Sequence, residues 1–205
     1  FEESLKNENE IMDCEIQIND EKINFSYYHK FTKEGIYIIK YTFRNPLTKT
    51  ICMFYKCSSI IDIDLSHFNS ENITDMRLMF FQCKLLRNIN FTNFNTQKVT
   101  NMEGLFSFCS SLKDIDLSFF NTKNAQYMNC LFMFCLSLEN INLSNFNTKN
   151  VIDMSNMFSL CYYLKNVDLS NFDTQNVTNM RNMFNDCVQL ENLDLSSFYT
   201  PNLIN

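Results

Sequence analysis

A chain of 205 residues can form one core, or a small domain joined to a longer array. Its net charge of −6, without a clustered cationic surface, excludes a phosphate-binding face and hence a nucleic-acid partner. No apolar run reaches the roughly 18 residues of a membrane-spanning helix, and 21 Phe and 11 Met against two Gly, two Pro and no Trp make an unusual apolar inventory.

The chain opens on Phe1 with no charged n-region and apolar h-region, so any signal peptide is expected to have been removed or to lie upstream. Glu2, Glu3, Glu8, Glu10, Asp13 and Glu15 make a polar, mobile start. Strand-like runs follow at Ile23–Tyr28 and Ile36–Phe43, separated by the turn-like Thr32–Gly35. Residues 1–50 therefore read as an N-terminal β-rich cap with a polar start.

From residue 51 a 26-residue period takes over and runs to residue 205 as about six units. Phe68, Phe94, Phe120, Phe146, Phe172 and Phe198 mark it, as do Cys57, Cys83, Cys109, Cys135, Cys161 and Cys187. The first unit is degenerate, entering through Met53, Phe54, Cys57, Ile60, Ile63 and Leu65. Within a unit, Leu164-Lys165-Asn166-Val167-Asp168-Leu169 reads L-x-x-L-x-L and suits a short strand. Met180, Met183, Phe184 and Cys187 then fall at i, i+3, i+4 and i+7, one face of a helix. The expected fold is an α/β solenoid: a leucine-rich-repeat array with a parallel concave sheet and short convex helices, rising about 4.8 Å per unit. The period stops at Asn205 without a polar capping unit, which suggests an array that continues, a disordered remainder, or an open end that meets another protomer.

The repeat text resembles the BspA-like surface-protein leucine-rich repeats, which read like D-L-S-x-F-N-T-x-x-V-T-x-M-x-x-M-F-x-x-C-x-x-L. Asp168 to Phe172, Thr174, Val177 to Met180, Met183, Phe184 and Cys187 carry the match, which recurs over about three quarters of the chain. Ala125-Gln126, Ile152 and Phe91 depart from it. The resemblance implies a non-enzymatic, secreted or cell-surface binding or adhesion protein with an extracellular localisation.

On the expected strand, Asp62, Asn88, Asp114, Asn140, Asn166 and Asn192 form one outward row. Asp64, Asn90, Asp116, Asn142, Asp168 and Asp194 form a second, and together they offer a polar, acidic concave face to a protein or glycan ligand. The bland alternative is an amide and hydroxyl ladder that keeps this face soluble. Calcium is disfavoured because six to eight oxygens are hard to gather on a flat strand. The six periodic cysteines read as buried thiols, whereas Cys14 and Cys52 are candidates for a disulfide, and Cys130 is a lone thiol. His29 and His67 have no partners for a triad or zinc site, and neither a metal nor another cofactor is expected. N-x-S/T sequons make Asn24, Asn72, Asn90, Asn142 and Asn176 candidate glycosylation sites. The Thr96, Thr122, Thr148, Thr174 and Thr200 column suits loop capping better than binding to an ice or crystal surface. The alternative function is a structural subunit of an extracellular filament or coat, self-associating through the solenoid ends.

Overall fold

The computed structural model describes residues 8–26 and 29–205. Two compact units divide it, Phe1–Leu47 and Thr48–Asn205. The second begins three residues before the boundary the period suggested, because the Thr48 carbonyl already accepts the Thr74 amide at 2.9 Å.

The first unit contains α1 (Glu8–Ile11) and an antiparallel sheet of β1 (Cys14–Ile18), β2 (Glu21–Ile23) and β3 (Ile39–Phe43), in the order β2-β1-β3. Cys14 and Ile16 alternate inward on β1, where both are buried. Asn19 and Asp20 carry φ of 47° and 67°, the two left-handed residues that a tight type I′ hairpin needs, so Ile18 meets Glu21 directly. The Asn19 side chain also accepts the Ile38 amide at 2.9 Å, which holds β3 against the other side of β1. Of the two expected strands, the second begins later, at Ile39, and the first contributes only Ile23 to β2. Tyr27 and Tyr28, like the acidic residues Glu2 and Glu3, lie outside the described residues.

The second unit corrects the expected fold. No helix forms in it, and the strands are two or three residues long. β4 (Asp62–Asp64) pairs in parallel with β5 (Asn88–Asn90), and β6 (Asp114–Ile115) with β7 (Asn140–Ile141), giving two small separate sheets. A second line of parallel bridges joins Lys49, Asp75, Asn101, Tyr127, Asp153 and Asn179, each to its counterpart 26 residues on. Six turns of chain, 48–73, 74–99, 100–125, 126–151, 152–177 and 178–203, are thus stacked in register.

The segments read as helices are successive tight turns. Met79 donates to the Met76 carbonyl at 3.3 Å, Phe81 to Leu78 at 3.1 Å and Cys83 to Phe80 at 3.1 Å. Between them, Leu78, Phe80 and Gln82 donate to Glu103, Leu105 and Ser107 of the next turn at 2.9, 3.0 and 2.9 Å. A helix would send each of these amides four residues back. Leu78 and Gln82 have φ of 54° and 59°, the left-handed third residue of a type II turn. The same two places are left-handed in every turn: Cys52 and Lys56, Gly104 and Phe108, Cys130 and Phe134, Asn156 and Leu160, Asn182 and Asp186. A non-glycine residue there costs about 1 kcal/mol or more, and the forward hydrogen bonds offset it. The i, i+3, i+4, i+7 spacing remains inward, because Met76, Met79, Phe80 and Cys83 are all buried by the winding of the turns.

Aromatic rings stack along the core axis. Phe54, Phe80, Phe106, Phe132, Phe158 and Phe184 form one file with centroids 5.4–5.6 Å apart and planes within 11°. Phe91, in a column otherwise filled by Leu, lies edge-on to Phe80, Phe94, Phe106 and Phe120, tying this file to a second one.

Candidate functional site

All twelve residues of the two expected binding rows are exposed on the short strands or their equivalents. Their side chains, however, are largely engaged with the fold. Asp64, Asn90, Asp116, Asn142, Asp168 and Asp194 each accept the backbone amide two residues on, at 2.8–3.0 Å, closing an Asx turn where the strand ends. That amide, and next the Ser66, Ser118, Ser170 or Ser196 hydroxyl, holds the four aspartates below the usual carboxylate range. In the other row, Asn88 donates to Asp62 at 2.6 Å and Asn140 to Asp114 at 3.2 Å. Amide thus alternates with carboxylate over the first four levels, which keeps like charges apart there, whereas Asp168 and Asp194 stand on adjoining levels and Asp168 raises Asp194 by its charge.

The threonine and cysteine columns are structural adhesives. Thr96, Thr122, Thr148 and Thr174 are buried, and each hydroxyl both donates to a carbonyl and accepts an amide of the next turn, as Thr122 does with Asn147 at 3.0 and 2.8 Å. A buried column offers no surface to a crystal. Cys83, Cys109, Cys135, Cys161 and Cys187 donate their thiols to the Phe carbonyl 29 residues back, at 3.0–3.2 Å. Burial pushes these thiols up, Cys83 to about 12 and Cys187 to about 11. Cys130, at a left-handed turn position, is raised to about 11 by its own burial. Cys14 is a buried free thiol in the first unit, and Cys52 is a half-buried free thiol in the second.

Asn24, Asn72, Asn90, Asn142 and Asn176 are exposed. Asn90 and Asn142 use their Oδ1 atoms in Asx turns, Asn72 accepts the Lys98 ammonium at 2.8 Å, and Asn176 donates to the Lys149 carbonyl at 2.8 Å. Among the described residues no group of three or more His, Cys, Asp and Glu is placed to hold a metal ion. His29 packs edge-on to Phe31 at 4.6 Å in the first unit, and His67 is exposed in the second.

A different surface of the second unit forms a concavity. An open groove of about 820 Å³ runs along the stack between two columns, of which the sequence had singled out only Asn176, as a candidate glycosylation site. One wall is Thr74, Thr100, Gln126, Ile152 and Thr178, the first residues of five consecutive turns; the other is Lys98, Asn124, Asn150 and Asn176. Thr74, Thr100 and Thr178 donate their hydroxyls to the carbonyl of the preceding turn at 3.2 Å. Asn124, Asn150 and Asn176 donate their amides to carbonyls 27 residues back at 2.7–2.8 Å. Each side chain is thereby fixed by its donor, leaving acceptor oxygens in a regular file. The groove contains no carboxylate. The signal in the sequence was the periodic recurrence of Asn124, Asn150, Asn176 and Asn202, which lies off the strand motif.

Fold and groove together define a stacked-turn repeat protein that displays ordered polar columns along its axis. The chain belongs to the family described as "Mycoplasma protein of unknown function, DUF285", which matches residues 48–162 and 133–205. Neither a curated protein nor a solved structure matches it. No helix among the described residues is long and apolar enough to cross a membrane.

Proposed function

We propose that this chain is a non-enzymatic binding or adhesion protein, secreted or held at a cell surface, that engages an extended ligand through the axial groove. The observation that carries the reading is the groove itself, which is open along five turns and lined in four of them by the same two positions. A surface of that form suits a ligand that lies along the stack rather than one that enters a pocket. The side chains able to perform chemistry support the same reading, since the thiols of Cys83, Cys109, Cys135, Cys161 and Cys187 are bonded to backbone, and the hydroxyls of Thr96, Thr122, Thr148 and Thr174 are buried between turns. The resemblance of the repeat text to BspA-like surface proteins supports the extracellular location. In a glycosylating secretory route Asn176 would carry its glycan inside the groove, so ligand binding requires that site to be unmodified.

The test is an array of glycans and extracellular-matrix proteins probed with the wild type and with a Gln126→Trp/Ile152→Trp variant, both positions being exposed. The groove-blocked variant is expected to lose the wild-type signals while keeping its thermal midpoint. Signals that all survive the block, or that vanish instead in an Asp62→Lys/Asp114→Lys variant, would move binding to the acidic rows and overturn the groove assignment.

A further inference from the structure

We infer that the ligand of the groove is a linear acidic polysaccharide, an inference that rests on the groove being the binding surface. The protein is acidic overall, yet no carboxylate lines this groove, and Lys98 does. Lys123 and Lys149 are the chain neighbours of the lining residues Asn124 and Asn150, so the three lysines belong to three consecutive turns. Stacked turns place equivalent residues about 4.8 Å apart, so Lys123 and Lys149 follow one another in one column, and Lys98 stands one turn earlier in the column beside it.

Lys98 is held in place by its bond to Asn72 Oδ1 at 2.8 Å. Among the described residues none of the three lysines forms an ion pair with a carboxylate, whereas Lys113 is paired with Glu139 at 3.3 Å and Arg77 with Asp75 at 3.0 Å. In the column that holds Lys123 and Lys149, Glu71 is the one acidic residue, and Gln97 separates it from them. Apart from Ile152, the remaining lining is amide and hydroxyl, whose acceptor oxygens match the hydroxyl donors of sugar rings.

The other polymers fit less well. The lining holds no aromatic side chain on which bases could stack, which disfavours a single-stranded nucleic acid. An extended peptide would need free backbone groups to pair with, but here the Thr74, Thr100, Gln126, Ile152 and Thr178 amides already donate within the stack. An unbranched glycan needs neither: acid groups meet the lysines while sugar hydroxyls meet the asparagine and threonine oxygens.

Binding of the full chain to heparin, hyaluronan and dextran of matched length, measured across a salt series, tests the inference. Both acidic polymers are expected to bind at least about tenfold more tightly than dextran and to weaken as salt rises. A Lys98→Gln/Lys123→Gln/Lys149→Gln variant is expected to lose about tenfold or more and most of the salt dependence, with its thermal midpoint unchanged because Lys98, Lys123 and Lys149 are exposed. Gln126→Trp/Ile152→Trp is expected to abolish the same binding. Dextran binding equal to that of the acidic polymers, and lost only on blocking the groove, would overturn the acidic class while the groove reading stands. Acidic-polymer binding that ignores both variants would overturn both. Oligothymidylate binding as tightly as hyaluronan would also overturn the inference, in favour of any polyanion.

Discussion

At Thr122 a polar side chain has become part of the core. Its hydroxyl satisfies both the carbonyl and the amide of Asn147 in a place without exposure. Thr122→Val keeps the shape but strands both backbone groups, so a loss of about 2 kcal/mol or more is expected in urea unfolding, with Thr122→Ser retaining most of the stability. Ser70 already fills the equivalent place in the first turn and accepts the Asn95 amide at 2.7 Å. The thiols carry a pH signature. Burial, with a smaller contribution from Cys57, pushes Cys83 up from 9.0 to about 12. Between those values the unfolded chain has lost a proton that the folded one keeps, so this stability is fully present below pH 9 and is lost as pH rises towards about 12. The urea midpoint should fall between pH 8 and 10.5, and Cys83→Ala should flatten part of that fall; an unchanged slope in the variant would refute the assignment. The Asx aspartates run the other way. Asp64, Asp116, Asp168 and Asp194 have depressed values, so their contribution is present above the ordinary aspartate range and is lost on acidification.

One turn of the stack explains both why the sequence was readable and where it misled. The inward residues Met102, Leu105, Phe106 and Cys109 have helical spacing, and that spacing alone cannot separate a helix from successive tight turns that face the same four residues inward. Deciding information sat at Gly104 and Phe108, whose φ values of 57° and 63° a helix forbids. Glycine stands at only one of these left-handed places, and Cys, Leu, Phe, Asn, Gln, Lys and Asp occupy the others, so the residue types did not announce the turns. The forward ladder that imposes them is a contact between chain segments 25 residues apart, invisible to local propensity. Two measurements follow. Far-UV circular dichroism should lack the helical double minimum, since α1 spans four residues and the stack has no helix. Gly104→Ala should cost about 1–2 kcal/mol, because an L side chain at that φ is strained and the new methyl would stand 2.6 Å from the end of Leu78, which must move. A helical repeat would instead be stabilised by that alanine, so the sign of the change separates the two folds.

Over the whole second unit, backbone ladders run along two lines of the turn, the bridges through Asp75, Asn101 and Tyr127 and the short strands near Asp62 and Asn88. Both advance by a strand spacing per turn, so nothing imposes the curvature that helices about 10 Å thick would force on one side. The concave face inferred from the period thus loses its cause, although the period itself made the buried columns legible. The groove was not legible for a related reason: each of its walls keeps the 26-residue step, but the two lie at opposite ends of the turn in sequence, as Thr100 and Asn124 do, and meet only when the turn closes on itself. A stack in which each turn touches its neighbours has a further consequence for stability. Phe132 is fully buried and sandwiched by Phe106 and Phe158 at 5.5 and 5.6 Å, whereas Phe184 is half-buried and stacks on Phe158 at 5.4 Å. Phe132→Ala weakens two interfaces and should cost about 4 kcal/mol, while Phe184→Ala weakens one and should cost about half as much. Hydrogen exchange sharpens the distinction. Removing Phe132 should raise exchange at the amides of both neighbouring turns, Phe106 and Phe158, and removing Phe184 should do so at Phe158 while leaving Phe106 protected. Equal loss of protection throughout the unit for either variant would mean that the stack unfolds as one indivisible body, and that nearest-neighbour contacts do not set its stability.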